Sequence, residues 1–255
     1  MTPTPKLPGT GQANGVRGRV DDGRGRAYVA PDGSTLWPSA TTLCGLVPGK
    51  AEGIAQWRER VGDEEADAVM VRAQERGNAV HDAIEAGVGP EAVHEWLDRW
   101  IDVCAQELTV GNGQEGYAGT ADLFGVVAAG QWQGWACVVD WKTGKRRVEH
   151  GLQVPAYGDA DCWAEELDDG AMRWRPLDES PLAAWALARE AVGVLSLVVY
   201  IDSDDDIAVQ HVPPDLLEDV REVRRRLCRL WAGEDIVRLG WSRLVSKRVL
   251  RRWRP

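Results

Sequence analysis

Long apolar runs are missing from this 255-residue sequence. The longest, residues 191–201, falls well short of the ~20 residues that cross a bilayer and is expected to form a buried strand. Residues 1–26 are rich in Pro, Gly and Arg and lack an apolar stretch, so no secretory leader and no membrane association are expected. Cysteine is sparse: Cys44, Cys104, Cys137, Cys162 and Cys228 are odd in number, lie far apart and form no Cys-x-x-Cys pair. That excludes a disulfide framework and argues against a zinc or iron–sulfur site, and it suits a reducing cytoplasm. Lysine is scarce too, with five against twenty-five arginines, and thirteen tryptophans stand beside a single phenylalanine.

The length suits one large domain. We expect a loose tail over residues 1–26 and a single domain over 27–255, ending in a basic helical segment over about 214–255. The net charge of −10 is unusual for a protein that handles phosphate polymers. From residue 221 onward, however, twelve Lys/Arg stand against three Asp/Glu. Arg224, Arg225, Arg226, Arg229, Arg248, Arg251 and Arg252 therefore form either a phosphate-binding patch or merely the solvated faces of terminal helices.

Hydrophobic spacing predicts strands near residues 27–29 and 36, a short helix over 54–61, and a long helix from Asp63. Ala66, Val69, Met70, Ala73, Gly77, Val80 and Ile84 give the long helix one buried stripe. Gly87 and Gly89 stop it, and Pro90 opens another helix running through Trp100, Ile101 and Cys104. Residues 117–127 and 135–141 read as an antiparallel hairpin. A helix over 151–166, a strand pair at 194–200 and 207–212, and a helix over 214–231 follow. The fold class is α/β, with helices on both sides of a central mixed sheet.

The strongest chemical signal is Val138-Val139-Asp140-Trp141-Lys142-Thr143-Gly144, an apolar strand ending in an acid and a lysine on one face. A hairpin turn centred near residue 132 puts Asp122 across from Lys142 and diagonal to Asp140. Two carboxylates that close repel unless a cation lies between them, and oxygen donors with open positions suit Mg²⁺ or Mn²⁺. Such an ion with a neighbouring ammonium is what phosphodiester hydrolysis requires. An isolated Asp-x-Lys is equally the mark of a surface salt bridge.

The company of that motif narrows the choice. Gly77 with His81, Gly119 with Asp122, Asp140 with Lys142, and Gln153 with Tyr157 occur in that order within about 80 residues. The series resembles the RecB-like branch of the PD-(D/E)XK nucleases. Upstream, residues 37–42 with Lys50 and Trp57 are similar to the entry segment of phage-encoded exonucleases and of the mitochondrial genome maintenance exonuclease family. The resemblance covers about residues 27–215.

It implies a restriction-endonuclease-like core and a Mg²⁺- or Mn²⁺-dependent exonuclease acting on DNA ends in replication, recombination or repair. The partners it implies are DNA and a recombination or replication protein. His81, Asp122, Asp140 and the backbone carbonyl of Trp141 would bind metal and Lys142 would be catalytic, with Gln153 and Tyr157 steadying the lysine and the strand. The cysteine cluster of iron–sulfur members is absent, as is a helicase phosphate-binding loop.

Other residues keep two readings each. His81 is a ligand or a core histidine; Glu85 touches the metal's water or is a solvated acid; Glu107 is a peripheral acid or a helix-end carboxylate. Ser39, Thr41 and Thr42 contact phosphate or cap a turn, and Lys50 joins them as a DNA contact. Trp141 and Trp57 stack on a base or belong to the core. An endonuclease of the same superfamily, or a non-catalytic DNA-binding module with this fold, remains the alternative.

Overall fold

In the computed structural model the described residues are 18–21, 23–47, 49–147, 149–179 and 181–234. The chain opens with a small antiparallel sheet of β1 (Arg19–Asp21), β2 (Arg26–Val29) and β3 (Leu36–Pro38). β1 and the first residue of β2 fall within the stretch expected to be a loose tail, of which residues 1–17 lie outside the described residues.

The short helix α1 (Ala40–Gly45) follows, capped by Ser39, whose hydroxyl accepts from the Thr42 amide at 2.9 Å. Then come α2 (Lys50–Val61) and α3 (Asp63–Glu85), the latter opening on three acids that complement its positive end. Gly87, at φ 70°, ends α3 as expected: the Gly87 amide donates to Ile84 O and the Val88 amide to Ala83 O, the two bonds of a Schellman motif.

The main body is a seven-stranded sheet. Its strands are β4 (Ile101–Asn112), β5 (Tyr117–Val127), β6 (Ala136–Lys142), β7 (Cys162–Glu166), β8 (Met172–Pro176), β9 (Val194–Ile201) and β10 (Ile207–His211), in the order β10-β9-β6-β5-β4-β7-β8. All pairs are antiparallel except β6 with β9. The expected mixed sheet with helices on both sides is therefore present.

On one face a core built around Val138, Phe124, Tyr157 and Trp185 packs α1, α5 (His150–Gly158), α6 (Ala183–Ala191) and α7 (Leu217–Trp231). On the other, Val139, Trp141, Leu123 and Val199 meet Ile84 at the end of α3 and Val93 and Leu97 of α4 (Glu91–Trp100). β6 is central and buried, which explains its unbroken apolar run.

Four expectations need correction. The helix after Pro90 ends at Trp100, and β4 starts at once. The helix expected over 151–166 stops at Gly158, and residues 162–166 form β7. The β5–β6 hairpin is shifted by two residues: Leu123 faces Val139, so Asp122 falls beside Asp140 rather than across from Lys142. Of the α3 stripe only Ala66 and Ile84 are buried, with Val69 and Met70 exposed. Only the last turns of α3 reach the sheet core.

Candidate metal and phosphate site

One open cleft of about 410 Å³ gathers residues from seven elements. These include Ser39 and Thr41, His81, Glu107, Asp122, Asp140 with Lys142, and Gln153 with Tyr157. The carboxylate end of β6 supplies the anchor. Asp140 has no exposed surface and Asp122 is 8% exposed. An acid there loses its hydration, so each must be compensated from within.

The compensation is partial. Lys142 Nζ is in ion-pair contact with Asp140 Oδ2, yet neither Asp140 oxygen receives a hydrogen bond of proper direction. Asp122 Oδ2 accepts the Trp141 amide at 2.6 Å. Burial, followed by the charge of Asp140, still pushes the Asp122 carboxyl up to about 7. Burial would discharge Lys142, but Asp140 and Asp122 outweigh it and hold the ammonium protonated above its ordinary range.

His81 reaches the carboxylates from α3. Its Nδ1 lies 3.7 Å from Asp122 Oδ1 and 3.7 Å from Glu107 Oε1, while Nε2 is 3.2 Å from the carbonyl oxygen of Trp141. Burial pulls the His81 pKa down, but the neighbouring carboxylates of Glu107 and Asp122 reverse that, leaving it raised. An imidazole whose Nε2–H donates to a backbone carbonyl presents Nδ1 as a lone-pair donor, the usual way a metal-binding histidine is oriented. The Trp141 carbonyl, expected as a ligand, is here the partner that aims His81.

Glu107 completes a trio with His81 and Asp122, whose donor atoms all lie within 4.8 Å of one another. It is not a helix-end carboxylate: it sits within β4 at φ 45°, the left-handed region, in the gap between the pairs Gln106–Leu123 and Leu108–Ala121. Such backbone costs about 1–3 kcal/mol for a residue with a side chain and recurs where a side chain must be re-aimed. Three donors, with the uncontacted Oδ1 of buried Asp140 beside them, fit a divalent cation of the Mg²⁺ or Mn²⁺ class: oxygen-dominated, one imidazole, no sulfur. Of the four expected ligands, the structure groups His81 and Asp122 with Glu107. It turns Asp140 to Lys142 beside them.

Gln153 donates to the Tyr157 hydroxyl at 2.8 Å and reaches Thr41 Oγ1 at 3.5 Å, so these residues brace each other and the cleft wall. Gly119 makes this possible, because a Cβ there would lie 2.7 Å from Tyr157 Cε1. At Gly77, by contrast, a Cβ would meet only Thr143 Oγ1 at 3.8 Å. Glu85 lines the same cleft.

Ser39 lines the cleft while it caps α1, and Thr42 donates to the Arg26 carbonyl at 2.8 Å. The remaining expected DNA contacts lie elsewhere. Lys50 pairs with Glu149 at 3.4 Å. Trp141 is 2% exposed and packs edge-on against Trp96, which rules out base stacking.

Arg224 is 3% exposed, donating to Glu115 and Asp159 at 2.8 Å each with its guanidinium 4.8 Å from the Tyr117 ring centre. Arg225 engages Glu115, Glu218 and Glu222, Arg226 pairs with Glu222 and Arg229 with Glu234. Arg224 is thus a core strut, for a buried guanidinium cannot meet a phosphate chain, and Arg225 is part of an ion-pair network. Arg248, Arg251 and Arg252 lie outside the described residues.

The periodicity of α7 carried the warning, since Arg224 falls four residues after Val220 and three before Leu227, on the buried stripe. For Glu107 no comparable signal exists.

No protein-family model and no curated protein matches the chain. Among solved structures, that described as "Crystal structure of SSO0001" is similar at 15% identity over 75% of each chain, with a TM-score of 0.34, a likeness too distant to carry an argument.

Proposed function

We propose that the protein is a Mg²⁺- or Mn²⁺-dependent deoxyribonuclease that hydrolyses phosphodiester bonds from DNA ends. The observation that carries this reading is the His81–Glu107–Asp122 trio beside the buried pair of Asp140 and Lys142. His81, Glu107 and Asp122 would hold the ion, and Asp140 Oδ1, the oxygen not engaged by Lys142, is the natural fourth donor. A bound divalent cation supplies polarisation of the phosphoryl oxygen and a lowered pKa for a bound water.

The protein's own groups supply the rest. Lys142 keeps its proton because Asp140 faces it, so it offers fixed positive charge and N–H donors to the negative charge that grows on a phosphoryl group. The Gln153–Tyr157 pair orients the wall against which a strand is held. Action at ends, and a place in replication, recombination or repair beside a partner protein, rest on the motif series and on the lack of any obvious base-reading element. No helix of the described residues is long and apolar enough to cross a membrane. The five cysteines are all unpaired, which supports a cytoplasmic setting.

The test uses end-labelled single-stranded and duplex DNA with Mn²⁺, alongside Mn²⁺-induced thermal shifts. Wild type should digest DNA and gain melting temperature with Mn²⁺. Asp122→Asn should lose both responses while keeping a cooperative melt without metal. A wild type inert on both substrates, with no Mn²⁺ shift, would leave a non-catalytic DNA-binding module.

A further inference from the structure

Helix α5 borders two cavities. Gln153 and Tyr157 line the carboxylate cleft, whereas Pro155 and Gly158 line a separate one of about 410 Å³, within the size range of small-ligand sites. Val194 and Ser196 at the start of β9, Arg189 of α6 and Arg221 of α7 complete its wall.

Two polar groups in that wall are left open. Arg189 is half-buried and has no carboxylate partner among the described residues. Its Nη1 donates to the carbonyl oxygens of Ala160 at 2.6 Å and Gly158 at 3.5 Å. The Nε–Nη2 edge, which holds a carboxylate side-on through two parallel bonds, is unused. Ser196 is 3% exposed, and its hydroxyl makes no hydrogen bond among the described residues. Burying such a group without a partner is unfavourable, so hydroxyls of this kind meet protein, water or a ligand. Gly158 lies next to both groups: Arg189 holds its carbonyl, and a Cβ on it would sit 3.8 Å from Ser196 Oγ and 3.0 Å from Val194 Cγ1. Glycine keeps that space clear.

The charge left over is that of Arg189. Arg221 is neutralised by Asp159 through bonds of 2.9 and 2.7 Å, and Asp159 also accepts from Arg224. A monoanion balances Arg189, whereas a phosphate monoester, close to −2 at neutral pH, would bring excess negative charge towards Asp159. The rest of the wall is apolar, with Trp135, Pro155, Val194, Pro214 and Leu217.

We infer that this cavity binds a small organic monocarboxylate with an apolar body, its carboxylate held by Arg189 and Ser196 and its body lying against the apolar wall. None of these residues belongs to the metal or DNA site, so the nuclease reading and this one stand or fall separately.

The probes are phenylacetate and isovalerate, the neutral phenylacetamide, and inorganic phosphate as competitor. Saturation-transfer NMR titrations on the full chain give dissociation constants, expected at about millimolar for ligands of this size. Phenylacetamide, with the same shape and no charge, should bind at least ~10-fold more weakly than phenylacetate. Arg189→Gln should weaken phenylacetate by at least ~10-fold and Ser196→Ala by about 3-fold. Arg173→Gln, an exposed control on β8, should match wild type. Melting curves establish folding. Should Arg189→Gln not fold for want of its two carbonyl contacts, Ser196→Ala and the amide probe decide.

Failure of both carboxylates to bind wild type at about 10 mM would overturn the inference. Equal binding of the amide, or unchanged affinity in folded Arg189→Gln and in Ser196→Ala, would do the same. Displacement of phenylacetate by equimolar phosphate would show a general oxyanion site and overturn the carboxylate assignment.

Discussion

Replacing Arg224 by alanine separates the two roles that sequence and structure give it. Arg224 Nε and Nη2 donate to Glu115 and Asp159 at 2.8 Å each, and the guanidinium lies 4.8 Å from the ring centre of Tyr117. Removing one partner from a buried ion network costs about 3–5 kcal/mol. The lower end applies, because Glu115 and Asp159 are partly exposed and keep Arg225 and Arg221 as partners.

About 3 kcal/mol corresponds to a melting temperature lower by about 6–12 °C in a chain of this size. Arg224→Met, which keeps the apolar stem against Tyr117, should recover part of that loss. The effect depends on pH with a definite sign. Burial alone would raise the Asp159 pKa, but the hydrogen bond from Arg221 and the charge of Arg224 lower it below its ordinary value. The carboxylate therefore contributes fully above the unfolded value of about 3.9, and the contribution fades as pH falls through the lower folded value. The gap between wild type and Arg224→Ala should narrow on acidification below about pH 4. Urea and thermal melts measure all of this. An Arg224→Ala protein that melts within about 2 °C of wild type but loses DNA binding would refute the reasoning and restore Arg224 as a surface phosphate contact.

Asp140→Asn should abolish metal-supported hydrolysis without unfolding, because it removes a buried anion and leaves the volume unchanged; calorimetric Mn²⁺ titration and a melt check both halves. Gly119→Ala should cost about 1–3 kcal/mol from overpacking against Tyr157, read in urea melts, and should lower activity by displacing the ring that Gln153 braces. Linear DNA should be reduced to short products while a covalently closed circle of the same sequence survives; equal cutting of the circle would show an endonuclease.

The hairpin that carries Asp122 and Asp140 was legible because β5 and β6 are near-continuous apolar and aromatic runs separated by glycines. The β9–β10 pair and α7 followed from equally regular spacing. β4 was not legible. Trp100, Ile101 and Cys104 continue the helical spacing of α4, and the register shift between Val103 and Ala105 breaks the alternation that marks a strand. In the sequence Glu107 reads only as a peripheral acid or a helix-end carboxylate, because its place in the trio depends on a left-handed backbone conformation that local sequence does not encode. The two-residue slip of the hairpin, which keeps the faces but sets Asp122 beside Asp140, depends on the turn over residues 128–135 rather than on the strands. The Asp140–Lys142 pair needed only period-two spacing. The exposed stripe of α3 was misread because periodicity reports which face is apolar, not whether anything covers it.

The most direct measurement is the rate of Mn²⁺-supported cleavage of an end-labelled DNA strand by wild type, by wild type in EDTA, and by Lys142→Ala. The site described here predicts cleavage by wild type, none in EDTA, and a loss of at least ~10²-fold on removing the ammonium. Cleavage that persists in EDTA, or a folded Lys142→Ala protein that cuts at the wild-type rate, would contradict it.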